Sequence, residues 1–163
     1  MRALITIAFC AALLSGGAAF ASPAPCDLAT LDEVEALLGR AVVDMPVSEI
    51  GEETAPYCRW ASAGREAEVK LSIWSPDELS VLGLADAEVY FARLASEFAA
   101  QGPLRWLQGL GERAFQAEFA STEVLRADGA IVVLGAERVI VFEFTHVLAR
   151  DARAFAARAA GRL

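Results

Sequence analysis

Asp128-Gly129-Ala130-Ile131-Val132-Val133-Leu134-Gly135-Ala136-Glu137-Arg138-Val139-Ile140-Val141-Phe142-Glu143-Phe144 is the stretch on which the reading of the fold turns. Ala130 to Leu134 is a short apolar run rich in β-branched residues, which suits a strand. Arg138 to Phe144 is a second run. In it Ile140, Phe142 and Phe144 alternate with Val139, Val141 and Glu143, placing two sets of side chains on opposite faces. Gly135-Ala136-Glu137 is the turn between the runs. Asp128-Gly129 reads as a hairpin signal leading back to a strand over Thr122 to Ala127.

Working outward, further strands are expected at Leu104 to Leu107, Arg113 to Glu118, Ala41 to Val47, Tyr57 to Ala61 and Ala67 to Trp74, with a turn at Ser62-Ala63-Gly64. In Ala67 to Trp74, Val69, Leu71 and Ile73 share one face, and Lys70, Ser72 and Trp74 share the other. Three helices separate these groups. Thr30-x-x-Glu33 is a capping box, Leu31, Val34, Leu37 and Leu38 form a stripe, and Gly39 is the stop. Ser75-Pro76-Asp77 ends a strand. A longer helix over about Asp86 to Ala100 carries Ala87, Phe91, Leu94, Ala95 and Phe98 on one side, and Gln101-Gly102-Pro103 stops it. The last helix, about Val147 to Ala160, buries Leu148, Ala152, Phe155 and Ala159. Hairpin-linked strands between helices imply an α+β fold. The expected architecture is a curled antiparallel sheet of about six to seven strands with helices packed on one face. Its helix–strands–helix–strands order suggests two related α-β halves.

The N-terminus carries a different signal. Met1-Arg2 precedes an apolar run from Ala3 to Leu14, then Ser15-Gly16-Gly17 and Ala19-Phe20-Ala21. That order is expected of a signal peptide over residues 1–21, cleaved after Ala21. The run is shorter than the roughly 20 residues that span a bilayer. The expected product is a single exported domain, residues 22–163, in the periplasm or outside the cell, with no transmembrane segment after signal removal. Pro23-Ala24-Pro25 before Cys26 does not form a lipobox.

Cys10 leaves with the signal, so Cys26 and Cys58 remain. In an oxidising compartment an even pair reads as a disulfide. It would close a loop of about 33 residues and contribute roughly 3.5 kcal/mol on a chain-entropy basis. Neither Cys-x-x-Cys nor a second histidine is present to favour a redox or zinc pair.

The chain has net charge −8 and a single lysine, Lys70. Residues 22–100 carry 15 acidic and 5 basic side chains, while residues 101–163 carry 7 and 8. That balance argues against nucleic acid and anionic membranes as partners. A nucleophilic hydrolase would have to use His146, the only histidine, and no Gly-x-Ser-x-Gly elbow accompanies it. His146 is expected at a helix start or on the surface. A carboxylate pair stays open as an alternative, since acids are plentiful. The acidic loop from Ser48 to Pro56 lacks the alternating oxygen ligands of a calcium loop. Gly109-Leu110-Gly111-Glu112-Arg113-Ala114 resembles a dinucleotide fingerprint only on paper, because a strand rather than a helix follows it. These glycines are expected in a turn with positive backbone angles. No catalytic residue, cofactor or metal ligand is assigned.

The tryptophans remain. Trp60 shares a face with Cys58 and is expected to pack on the disulfide. Trp106 precedes the glycine turn. If helices cover only the apolar face of the sheet, Trp74 points outward, where a partner would give it a packing role. Trp74, Lys70 and Ser72 are therefore the candidate binding surface. Burial under a second layer is the rival reading.

Cys26-Asp27-Leu28, the Thr30-capped helix with Glu33-Val34-Glu35-Ala36-Leu37-Leu38-Gly39, Cys58-Arg59-Trp60 and Gly109-Leu110-Gly111-Glu112-x-Ala114 together resemble a family of small bacterial exported proteins and lipoproteins of unknown function. The resemblance spans residues 26–160. It implies a disulfide and an α+β fold, and it implies no catalytic residues. The function expected from these features is a non-catalytic envelope module that binds a protein or small ligand. A structural component of an envelope complex and a carboxylate-dependent hydrolase are the alternatives.

Overall fold

A computed structural model of the chain describes residues 23–43, 55–84, 86–119 and 127–163. The expected signal peptide, most of the acidic loop and all but the last residue of the strand expected over Thr122 to Ala127 lie outside the described residues. So does the far end of the strand expected over Ala41 to Val47, of which Val42 makes a single antiparallel bridge to Ser62.

The elements follow in the order α1 (Leu31–Leu38), β1 (Tyr57–Ala61), β2 (Glu68–Trp74), α2 (Pro76–Val81), α3 (Ala87–Ala99), β3 (Leu104–Leu107), β4 (Arg113–Phe119), β5 (Ala127–Gly135), β6 (Arg138–Val147) and α4 (Ala149–Ala160). The strands form one open, curled antiparallel sheet in the order β1-β2-β6-β5-β4-β3. The α+β class and the curled antiparallel sheet are as the alternation patterns imply. β3 to β6 form a meander whose last strand returns beside β2. The chain between β2 and β3 must therefore cross from one side of the sheet to the other. α2 and α3 make that crossing.

Local chemistry explains most boundaries. Thr30 accepts from the Glu33 amide at 3.3 Å, and Glu33 accepts from the Thr30 amide at 2.9 Å, which closes the capping box expected for α1. Asp86 caps α3 through the Val89 amide at 2.8 Å. α2 was not anticipated. Its signal is Ser75-Pro76-x-Glu78, a capping box with proline at the first helical position. Pro76 both ends β2 and starts α2.

Three local expectations are corrected. Asp128-Gly129 is not a hairpin turn: both residues lie within β5, at a bulge where Asp128 alone faces Thr145 and His146. Gly129 is required there for space, since a Cβ would sit 2.4 Å from the Ala117 carbonyl oxygen and 3.1 Å from the Phe144 ring. Val147 belongs to β6 rather than to α4, and His146 sits in the bulge with φ +54°, its amide donating to the Asp128 carboxylate at 2.9 Å. Leu31 and Leu148 are exposed rather than buried, because each lies at the very start of its helix. By contrast, Gly109 and Gly111 do have the expected positive angles, +72° and +59°. At Gly111 a Cβ would also meet the Leu134 carbonyl oxygen at 2.5 Å.

Helices cover both faces of the sheet, not one. α1 and α4 pack on the face presented by Val69, Leu71, Ile73, Ile131, Val133, Ile140, Phe142 and Phe144. α2 and α3 pack on the other, against Trp74, Phe115, Val132, Leu134, Val139 and Val141. This is why β5 reads as an unbroken apolar run: every second residue goes to a different core. The two strand groups are unequal, two against four, and their leading helices α1 and α3 lie on opposite faces. The Cys26–Cys58 disulfide is formed, tying the short 3₁₀ turn Pro25–Leu28 to β1 on the α1/α4 face. Trp60, 2% exposed, joins the same core as Cys58.

Candidate functional site

The alternation that puts Val69, Leu71 and Ile73 under α1 and α4 puts Lys70, Ser72 and Trp74 on the α3 face. Strand register then fixes their neighbours. Ser72 stands between Tyr57 and Val141, and Lys70 stands between Arg59 and Glu143. Glu68 lies beside Thr145 in the next row. α3 lies over part of this face, so its Tyr90, Leu94 and Phe98 wall one side.

The result is a groove in two connected parts. The first, about 180 Å³, is lined by Lys70, Ser72, Trp74, Tyr90, Leu94, Phe98, Val141 and Glu143. The second, about 400 Å³, is lined by Tyr57, Arg59, Glu68, Lys70, Glu143 and Thr145. Lys70 and Glu143 belong to both. One end is thus apolar and partly aromatic, and the other is charged.

The structure brings all three candidate residues together in this groove, though not as an outward-facing patch. Display of Trp74 depended on a sheet covered on one face only, and α3 removes that condition. Trp74 is 9% exposed, with its ring centroid 4.9 Å from that of Tyr90, and Ser72 is buried beneath the groove. Lys70 is the accessible member. Its ammonium lies 3.4 Å from the Glu143 carboxylate and 4.9 Å from the Tyr57 ring centroid. Arg59 pairs with Glu68 at 2.6 Å.

Sequence reading missed Arg59, Glu143 and the α3 wall as parts of this site. Glu143 had a signal, being the polar member of the Val139, Val141, Glu143 set. Arg59 had none without the β1–β2 register. The exposed tryptophan of the chain's described residues is Trp106, at 56%, on the terminal strand β3. Its ring faces Phe115 and Phe91, and the Arg113 guanidinium stacks 5.0 Å from Phe91 and 5.8 Å from Trp106.

The other polar features are structurally engaged. An acidic cleft of about 360 Å³ holds Asp86, Glu88, Glu112 and Glu137 beside Pro76, Ala87 and Leu134. All four acids are exposed. Asp86 caps α3, Glu88 pairs with Arg113 at 2.8 Å, and Glu112 accepts from the Ala136 amide at 3.2 Å. A buried carboxylate dyad, the arrangement that would favour general acid–base chemistry, is not among these. Glu33 receives two hydrogen bonds from the Arg162 guanidinium, at 2.7 and 2.8 Å. Those bonds first, and the Thr30 amide next, hold its carboxyl down to about 2. Glu33 is therefore an anion at neutral pH and clamps Arg162, just beyond α4, to α1. Among the described residues, no three His, Cys, Asp or Glu side chains are placed to hold a metal ion, and no helix is long and apolar enough to cross a membrane.

Comparison with protein families, with curated proteins and with solved structures finds no match to the chain.

Proposed function

We propose that the mature domain is an exported, non-catalytic module that binds a partner in the groove beside α3. The observation that carries this reading is the groove's make-up. The same strip of sheet joins an apolar notch, walled by Tyr90, Leu94 and Phe98, to a rim of half-exposed ion pairs. A surface that offers contact area and charged groups side by side fits recognition. Export rests on the N-terminal signal, and the Cys26–Cys58 disulfide accords with an oxidising compartment.

A second reading has its own observation. Trp106 on β3, the last strand of the sheet among the described residues, suits a structural contact inside an envelope complex. Affinity capture separates the two. Mature protein, residues 22–163, is immobilised and exposed to its own envelope extract, alongside Leu94→Arg, which fills the notch, and Trp106→Ser. The groove reading predicts a partner retained by wild type and Trp106→Ser and lost with Leu94→Arg. A partner lost only with Trp106→Ser contradicts it.

A further inference from the structure

We infer that the groove recognises a carboxylate carried on an apolar group, with Arg59 and Lys70 as the receiving cations. This rests on the proposed binding function and names its ligand chemistry. The starting point is the β1–β2 register, which sets Arg59 directly opposite Lys70. Directly opposed side chains on an antiparallel pair have their Cβ atoms about 5 Å apart, and like charges so placed repel. The pairing therefore needs neighbouring groups to offset it. It is the more notable in an acidic chain whose single lysine is the one used.

Two carboxylates offset the repulsion, and each does so from the side. Glu68 meets Arg59, and Glu143 meets Lys70 across the β2–β6 pair. Glu143 is 50% exposed in its side chain, and its 3.4 Å contact with Lys70 is long for a charge-assisted hydrogen bond. It is an exchangeable partner. A free carboxylate seated between the guanidinium and the ammonium accepts from both at once. The Tyr57 ring beside the Lys70 ammonium holds that cation in place.

The apolar group follows from the shared lining. Lys70 and Glu143 also border the notch of about 180 Å³ formed with Leu94, Phe98 and Val141. A carboxylate on Lys70 therefore places whatever it is attached to against those side chains. One aromatic or branched aliphatic group suits that volume. Two sources share this chemistry: the C-terminal end of a peptide and a free small organic acid. Among the described residues of the rim, the charges of Arg59, Lys70, Glu68 and Glu143 sum to zero.

Titration calorimetry of the mature protein tests the inference with three probes: acetyl-Ala-Ala-Phe with a free C-terminus, the same peptide as its C-terminal amide, and 3-phenylpropionate. The free acid should bind at least tenfold more tightly than the amide. Arg59→Gln and Lys70→Gln should each weaken the acid at least tenfold with the melting temperature little changed. Glu143→Gln, which removes one internal competitor, should tighten it severalfold. A peptide acid bound tenfold better than phenylpropionate identifies a chain end as the source, and equal binding identifies a free acid. Equal affinity for acid and amide, no binding of either, or binding unaffected by both cation variants overturns the inference. The broader binding function stands or falls separately, on whether Leu94→Arg abolishes capture of a partner.

Discussion

The two faces of the sheet are built from the same alternating strands and differ in what closes them. On the α1/α4 face, the disulfide, Trp60 and a run of aliphatic and phenylalanine side chains make a continuous core, and the Glu33–Arg162 clamp holds its two helices together. On the α3 face, the core is aromatic, made by Phe91, Phe115, Trp74 and Tyr90, and it stops short of β1. Beyond it the strands carry Arg59, Glu68, Lys70 and Glu143, joined in ion pairs. The difference is between a face closed by covalent and apolar means and one whose described residues end in a charged groove.

Substitution of the paired tryptophans strains this contrast hardest. Trp60→Ala should cost about 4 kcal/mol in denaturant unfolding, the range for a large aromatic in a closed core. Trp74→Ala should cost about 3 kcal/mol, the lower end of that range, because its ring borders the groove while Tyr90, Val139 and Val141 bury the rest. Equal costs would erase the distinction.

The next effect belongs to the disulfide. Cys58→Ser should lower stability by about 3.5 kcal/mol, and non-reducing peptide mapping should show Cys26 joined to Cys58 in the native protein. Two free thiols by alkylation would contradict it.

Glu33 supplies a pH test of the same face. Its carboxyl is depressed, so its contribution is present above the unfolded carboxylate range near about 4.3 and is lost as pH falls toward about 2. Glu33→Gln should cost about 2 kcal/mol at pH 7 and almost nothing at pH 2. A cost that stays constant across that window would show that the clamp is not electrostatic.

The smallest effect is a gain. Ala136 and Glu137, the two residues of the β5–β6 hairpin, both have positive φ, +50° and +62°. Two-residue hairpins with that geometry favour Asn-Gly. Ala136→Asn with Glu137→Gly should raise stability by about 1 kcal/mol without affecting the groove.

The sequence showed strands and helices clearly wherever one physical signal governed them. The Thr30–Glu33 box, the α3 stripe and the alternation of β2 and β6 all reflect local periodicity. The hairpin expected at Asp128-Gly129 failed because a dipeptide that suits a turn also suits a bulge, and only packing against Ala117 and Phe144 decides between them. Coverage of both faces was written in the apolar run of β5, whose period is hidden when every position is buried. The groove was half legible. Lys70, Ser72 and Trp74 shared a face by simple alternation, but Arg59, Glu143 and α3 reach them only through strand register and a crossover spanning the sheet.

The central claim is that the α3 face is the binding face, and backbone amide shifts of isotope-labelled residues 22–163 during titration with acetyl-Ala-Ala-Phe test it most directly. The account predicts shifts confined to residues 57–61, 68–74, 90–98 and 141–145, with α1 and α4 unmoved. Shifts centred on α1 and α4, or no shifts at all from a folded protein, would contradict it.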